Sequence, residues 1–253
     1  MTSLPPLAPQ LVSERYQRQM ALDDFGSQGQ QNLKQAHVLL VGAGGLGSPA
    51  ALYLAGAGVG TLTLADHDCV SLTNLHRQVL YGEADIGRPK AEVARRALVA
   101  RNSDIDCRAL SVRLEGSALA QAVAHADLVL DCTDNLAARR ALNAACLTSA
   151  TPWVHASVMG LCGQITCFMP PFSHGCYHCL FPDAPAPPSA PFPVLGPLPG
   201  LLGAMQALEA IRWLVHGHSP LSTTLALFDG ACHRWRYLER TPDPHCPCCG
   251  ASR

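Results

Sequence analysis

Four apolar residues, Val38-Leu39-Leu40-Val41, run without a polar break into Gly42-Ala43-Gly44-Gly45-Leu46-Gly47, and small and apolar residues follow from Ser48 to Ala57. A short, wholly apolar run predicts a parallel strand buried on both faces. The glycines predict a sharp turn that can approach a phosphate without Cβ clashes. The segment after them predicts a helix whose N-terminal N–H groups would face that phosphate. Together these make the strand–turn–helix unit of a nucleotide-binding βαβ fold. The alternation continues downstream. Thr61–Ala65 predicts a second strand, and Pro89 followed by Lys90, Val93, Ala94, Ala97 and Leu98 predicts a helix with proline near its first turn. Strands are expected over residues 105–112, 127–130, 153–157 and 164–169, and helices over 118–126 and 137–147. Such alternation specifies an α/β fold: a Rossmann-like, doubly wound, mostly parallel sheet.

The two flanks differ from this pattern. Residues 1–12 are rich in proline and leucine and are expected to be loose, and residues 15–33 read as helical and polar-rich. Between Phe181 and Pro199 stand eight prolines, at 182, 185, 187, 188, 191, 193, 197 and 199. That density excludes a helix interior or a central strand, so this stretch is expected to be an extended crossover loop. Residues 201–216 then predict a long amphipathic helix, and 225–228 with 235–238 a short strand pair, the C-terminal antiparallel extension of the sheet. No internal repeat divides residues 1–253, which are expected to form a single domain.

Composition narrows the class of function. The chain has 253 residues, 48% hydrophobic and 15% charged, with net charge −1. This is a globular composition. No basic stripe favours nucleic acid, no apolar run is long enough to cross a bilayer, and the first residues lack the pattern of a signal peptide. A soluble cytoplasmic protein is expected.

Candidate chemistry follows the glycine turn. Asp66 ends the second strand 19 positions after Gly47, where an acid can take a ribose hydroxyl; its alternative role is a helix cap. Arg77, in Asn74-Leu75-His76-Arg77-Gln78, and Lys90 are placed to meet phosphates, and two cations suit a triphosphate better than a dinucleotide. Asp134 follows a buried strand, at the edge where ligands sit in such sheets. A carboxylate there can hold Mg²⁺, or it can cap the next helix. Among twelve cysteines, Cys176-Tyr177-His178-Cys179 and Cys246-Pro247-Cys248-Cys249 form two knuckles, each able to give two thiolates to one tetrahedral Zn²⁺. Cys176, Cys179, Cys246 and Cys249 would close a structural site. Cys248 is left outside it, and His178 and His245 stand as alternative ligands.

Taken in order, these motifs resemble the ThiF/MoeB/HesA family, bacterial relatives of ubiquitin-activating enzymes. The resemblance runs from about Arg15 to Gly250. It rests on Arg15-Tyr16-x-Arg18-Gln19, Gly42-x-Gly44-Gly45-Leu46-Gly47, Asp66-x-Asp68, Asn74-Leu75-x-Arg77-Gln78, Gly87-x-Pro89-Lys90, Asp131-Cys132-Thr133-Asp134-Asn135 and both cysteine knuckles. Leu227-Phe228-Asp229-Gly230 is more similar to the thiamine branch than to the molybdopterin branch. The resemblance implies a homodimeric adenylyltransferase that binds Mg·ATP and the diglycine C-terminus of a small β-grasp sulfur carrier. It implies that Gly42, Gly44, Gly45 and Gly47 cradle phosphate and that Asp66, with Asp68 nearby, holds the ribose. Asn74, Arg77, Gln78 and Lys90 would surround the triphosphate, Asp134 would handle Mg²⁺, and Arg18 would reach into the partner's ATP site.

One departure stands out. Family members usually carry a cysteine in the loop after the first knuckle, whereas no cysteine occurs here between Leu180 and His216. Adenylation without a covalent carrier adduct on this loop is therefore expected, with sulfur from a separate persulfide donor. Two other readings remain at the level of sequence: a nicotinamide- or flavin-dependent oxidoreductase, which would leave Arg77, Lys90 and Asp134 without obvious work, and a non-catalytic carrier-binding scaffold.

Overall fold

A computed structural model describes residues 9–182 and 193–250. Helices α1 (Pro9–Met20) and α2 (Gly26–Gln35) lead into β1 (His37–Val41), α3 (Gly47–Ala57) and β2 (Thr61–Ala65). Next come α4 (Lys90–Arg101), β3 (Asp106–Leu110), α5 (Gly116–Ala124), β4 (Leu128–Asp131), α6 (Leu136–Ser149) and β5 (Trp153–Met159). The chain continues through β6 (Cys162–Phe168), α7 (Tyr177–Leu180), α8 (Pro197–His216), β7 (Thr224–Asp229) and β8 (Arg234–Glu239). All eight strands join one sheet in the order β3-β2-β1-β4-β5-β6-β7-β8. From β3 to β5 the pairing is parallel. From β5 to β8 it is antiparallel, so the expected α/β class and its C-terminal extension are both present. No described helix is long and apolar enough to cross a membrane.

The apolar strands are covered on both faces, and alternate side chains are shared between two cores. Val38 and Leu40 of β1, Leu128 and Leu130 of β4, and Val154 and Ala156 of β5 pack with α2, α3, α4 and α8. Leu39, Val129 and Trp153 point the other way, into a core with α5 and α6 in which Trp153 stacks on Phe168 at 4.6 Å. The chain order turns back on itself at β1 and β4, leaving a crevice at their carboxyl ends.

Three expectations need correction. Residues 15–33 are not one helix: α1 ends at Met20, and a turn closed by Phe25 and Gly26 amides on the Leu22 carbonyl precedes α2. Gly26, at φ +55°, suits that left-handed step. The N-terminus is helical from Pro9, inside the stretch expected to be loose, while residues 1–8 lie outside the described chain. The long helix begins at Pro197 and not at residue 201. Pro197 and Pro199 occupy its first turn, where an N–H would have no intrahelical acceptor. Much of the expected crossover, residues 183–192, is also outside the described chain.

The Arg15-Tyr16-x-Arg18-Gln19 motif closes the amino edge of the sheet. Tyr16 lies so close to Gly58 that a Cβ there would stand 2.6 Å from the phenol oxygen. Gln19 donates to the Ala57 carbonyl at 2.8 Å. Fully buried Asn102 donates to both the Tyr16 hydroxyl and the Ala55 carbonyl, each at 2.7 Å. Asn102→Ala removes both bonds, leaving the Ala55 carbonyl with only the Gly58 amide at 3.2 Å, so it should cost about 1–3 kcal/mol of stability. The expected result is a lower urea midpoint with an unchanged m-value.

Candidate active site at the carboxyl edge of the sheet

The turn after β1 is shaped by contacts that only glycine permits. Gly42 has φ +95°, and a Cβ on it would lie 2.6 Å from the Cys132 carbonyl oxygen. A Cβ on Gly47 would lie 1.9 Å from the Gly42 carbonyl oxygen. The turns after β1 and β4 are therefore in backbone contact, and α3 starts directly above β1. Gly44 is less crowded: its nearest neighbour would be Gln78 Nε2 at 3.4 Å. From the other side, α8 presses on the turn, with Pro199 against Gly45 and Gly203 against the Leu46 carbonyl.

The turn's carbonyls and amides are treated differently. The Ala43 carbonyl accepts from the Tyr81 hydroxyl at 2.7 Å and from Ser48 Oγ at 3.1 Å. The Ala43 amide donates to Asp66 Oδ2 at 2.7 Å. The Gly44, Gly45, Leu46 and Gly47 amides have no acceptor among the described residues. Helix α3 has no side-chain cap, so these donors and its positive dipole end form a ready anion site.

Around this turn the structure gathers most of the sequence-predicted residues. Asp66 is buried at the end of β2, and its other oxygen accepts the Asp68 amide at 2.8 Å. Lys90, only 4% exposed, donates from Nζ to Asp68 Oδ2 at 2.8 Å. Partial burial works to raise the Asp68 carboxyl, but the Lys90 hydrogen bond and charge outweigh it and hold the acid below its usual range. Arg77 is half-buried and donates to the Asn74 Oδ1 at 2.6 Å and to the Thr73 carbonyl at 3.1 Å. Gln78 is buried with its Oε1 unpartnered. Asp134 is exposed just beyond β4 and makes no hydrogen bond or ion pair with another described residue. It is not a helix cap: Asn135 caps α6, accepting the Ala138 amide at 2.9 Å.

Arg18 is the exception. It is exposed on α1, next to the Gln19 that binds the C-terminal end of α3. Eleven residues of α3, roughly 16 Å, separate that end from the glycine turn. Arg18 thus lies at the opposite edge of its own sheet from the cradle.

The four knuckle thiols converge although the knuckles are about 70 residues apart. All four Sγ atoms lie within 4.8 Å of one another. Cys176 and Cys246 are 3.7 Å apart, and Cys179 and Cys249 3.5 Å. A zinc tetrathiolate with bonds of about 2.3 Å has sulfur–sulfur edges of about 3.8 Å, so the donor set fits a zinc ion. Cys248 is exposed and outside the cluster. His178 and His245 do not belong to it either.

Sequence reasoning missed a buried polar network beneath the Asp134 turn. The Asp131 carboxylate, fully buried, receives Thr133 Oγ1 at 2.6 Å, the Thr133 amide at 3.0 Å and His155 Nδ1 at 2.7 Å. Gln206 of α8 donates to the Asp131 and Val154 carbonyls at 2.8 and 3.2 Å. The only sequence signal was Asp131 opening the quoted Asp131–Asn135 motif; a lone histidine in a strand announces nothing.

Comparison with known proteins agrees with this geometry. The ThiF family model matches residues 16–248. The sulfur carrier protein ThiS adenylyltransferase of Escherichia coli K12 is 50% identical over 240 residues, covering 94% of this chain and 95% of that protein. The molybdopterin-synthase adenylyltransferase of Salmonella typhimurium LT2 is 42% identical over 239 residues, covering 93% and 96%. Among solved structures, E. coli MccB with ATP superposes with TM-score 0.81 at 25% identity, covering 93% of this chain and 73% of MccB. Matched along almost its whole length by the family model and by relatives well above 30% identity, the chain belongs to the ThiF family.

Proposed function

We propose that this protein adenylylates the C-terminal Gly-Gly carboxylate of a small β-grasp sulfur carrier at the expense of Mg·ATP. The observation that carries the reading is the row of amides from Gly44 to Gly47, which have no acceptor among the described residues, together with the exposed Asp134 carboxylate, which has no partner among them. The names of the relatives, adenylyltransferases of sulfur carriers, support the same chemistry.

In this reading the triphosphate lies over the start of α3. The four amides stabilise its oxygens without reorganisation as negative charge shifts. Arg77, Lys90, Asn74 and Gln78 close around it, and the orphaned Gln78 Oε1 gains a donor from the bound nucleotide. Asp66, with Asp68 beside it, takes the ribose. Mg²⁺, when bound, neutralises phosphate charge, and Asp134 is the carboxylate suited to hold it. The carrier carboxylate attacks the α-phosphorus, a new P–O bond forms, and pyrophosphate leaves with the electron pair of the broken bond. The protein mainly positions the two anions against each other. Arg18, too far from its own cradle, serves the second protomer of a homodimer.

Sulfur enters from a separate persulfide donor in the cytoplasm. Cys132 and Cys167 are poor nucleophiles because burial drives both thiols up, Cys167 to about 12. Zinc on Cys176, Cys179, Cys246 and Cys249 is structural, since four thiolates leave no open position.

Three outcomes are expected. ATP–pyrophosphate exchange should require a diglycine-ended carrier and fall at least ~100-fold in Asp134→Ala, whereas a scaffold would show no exchange at all. Metal analysis should give about one zinc per chain; Cys246→Ser should lose it and Cys248→Ser should keep it. Denaturing mass spectrometry of the enzyme–carrier mixture should show no adduct released by reductant.

A further inference from the structure

The register between β4 and β5 pairs Asp131 with His155, so the two side chains emerge side by side on the same face of the sheet. Both are fully buried. A buried carboxylate is stable only when donors replace its lost water. Asp131 has three close ones: the Thr133 amide and hydroxyl on Oδ1, and His155 Nδ1 on Oδ2. Arg139 adds charge more remotely, its Nε 3.9 Å from Oδ2, while its terminal nitrogen donates to the Thr133 carbonyl at 2.9 Å. Thr133 is therefore gripped at its amide, hydroxyl and carbonyl. The next residue is Asp134.

The histidine has no other polar task. Its Nε2 is buried and has no partner among the described residues. Tyr177 stands edge-on to the ring at 5.1 Å and Phe181 at 6.2 Å. Burial lowers its proton affinity more than Asp131 raises it, so the neutral ring donates through Nδ1–H. Sealed from solvent, it cannot touch nucleotide or carrier.

We infer that Asp131 and His155 form a positioning pair that fixes the turn presenting Asp134. The catalytic consequence rests on the adenylylation reading above; the structural one does not. Without the His155 donor, the buried carboxylate must protonate or turn towards water, and either response weakens its hold on Thr133. Asp134 would then sample positions that do not match the reacting groups, which costs turnover more than nucleotide binding.

The test uses the full-length protein with His155→Leu, which removes the donor, and His155→Asn, which can place an N–H where Nδ1–H stood. Thr133→Val is a third variant that removes one hydroxyl from the same carboxylate and leaves His155 in place. Hydrogen exchange across residues 131–135 is measured first. His155→Leu and Thr133→Val should each speed exchange of this segment by about tenfold or more, with α8 unchanged, and His155→Asn should restore most of the protection. Exchange driven by ATP, pyrophosphate and a ThiS-type carrier is measured second. There kcat should fall by about tenfold or more in His155→Leu while KM for ATP moves less than about threefold, with recovery in His155→Asn. Unchanged protection in His155→Leu overturns the pair, whatever Thr133→Val does. So does a His155→Asn variant as loose as His155→Leu, because side-chain volume and not the hydrogen bond would then matter. Should wild type and Asp134→Ala alike show no carrier-dependent exchange, the adenylylation reading fails, and the hydrogen-exchange measurement still decides the pair. If His155→Leu does not fold, His155→Ala takes its place against His155→Asn, and the same comparison decides the pair.

Discussion

The closest constraint in this molecule is backbone against backbone. The Cys132 carbonyl leaves no room for a Cβ on Gly42, and the Gly42 carbonyl leaves none on Gly47. These contacts fix the separation of the turns after β1 and β4 and bring the first amides of α3 over the end of β1. The anion cradle follows from that spacing, because unpaired amides and the dipole end of α3 point into the crevice where the strand order reverses. Helix α8 holds the arrangement from outside through Pro199 and Gly203.

Charge is then distributed around a rigid frame. Asp66 has each oxygen engaged, one by the Ala43 amide of the glycine turn and the other by the Asp68 amide, so it links the ends of β1 and β2. Lys90 is buried against Asp68, whose carboxylate compensates the buried cation. Asp134, by contrast, has no partner among the described residues and stays exposed. A held cation and an exposed carboxylate at the same edge of the sheet are what the proposed nucleotide site would use. The cysteine cluster works at a distance: it ties the segment after β8 to α7, next to α6 and the wall around His155. Asn143 of α6 joins the two, accepting the Tyr177 amide at 2.9 Å and donating to the Cys176 sulfur at 3.6 Å.

Much of this was legible along the chain. Unbroken apolar runs encode buried strands, and the motifs that carry Gly42 to Gly47, Asp66, Arg77, Lys90 and Asp134 were each visible in the chain before the fold brought them to one edge of the sheet. The two-knuckle pattern also named the four thiols that cluster, since Cys246 and Cys249 share the spacing of Cys176 and Cys179. The break at residues 21–25 was not legible, because polar residues carry no periodic signal to interrupt. The helix start at Pro197 was hidden by a proline density that argues against helix everywhere except the first turn.

Sequence alone therefore determined the fold class, the glycine turn at the end of β1 and the pairing of the two cysteine knuckles, all of which depend on local periodicity, backbone freedom or short spacing. Only the tertiary structure decided which residues meet across the sheet. Asp131 and His155 are 24 positions apart and become neighbours through the β4–β5 register. Gln206 reaches the same point from α8, 75 positions beyond Asp131. Arg18 stands in a recognisable motif, yet only the packing of α1 against the far end of α3 shows that its own cradle is out of reach. Side-chain pattern states which face a residue takes; strand order and register state who its neighbour is, and those are set by long-range pairing.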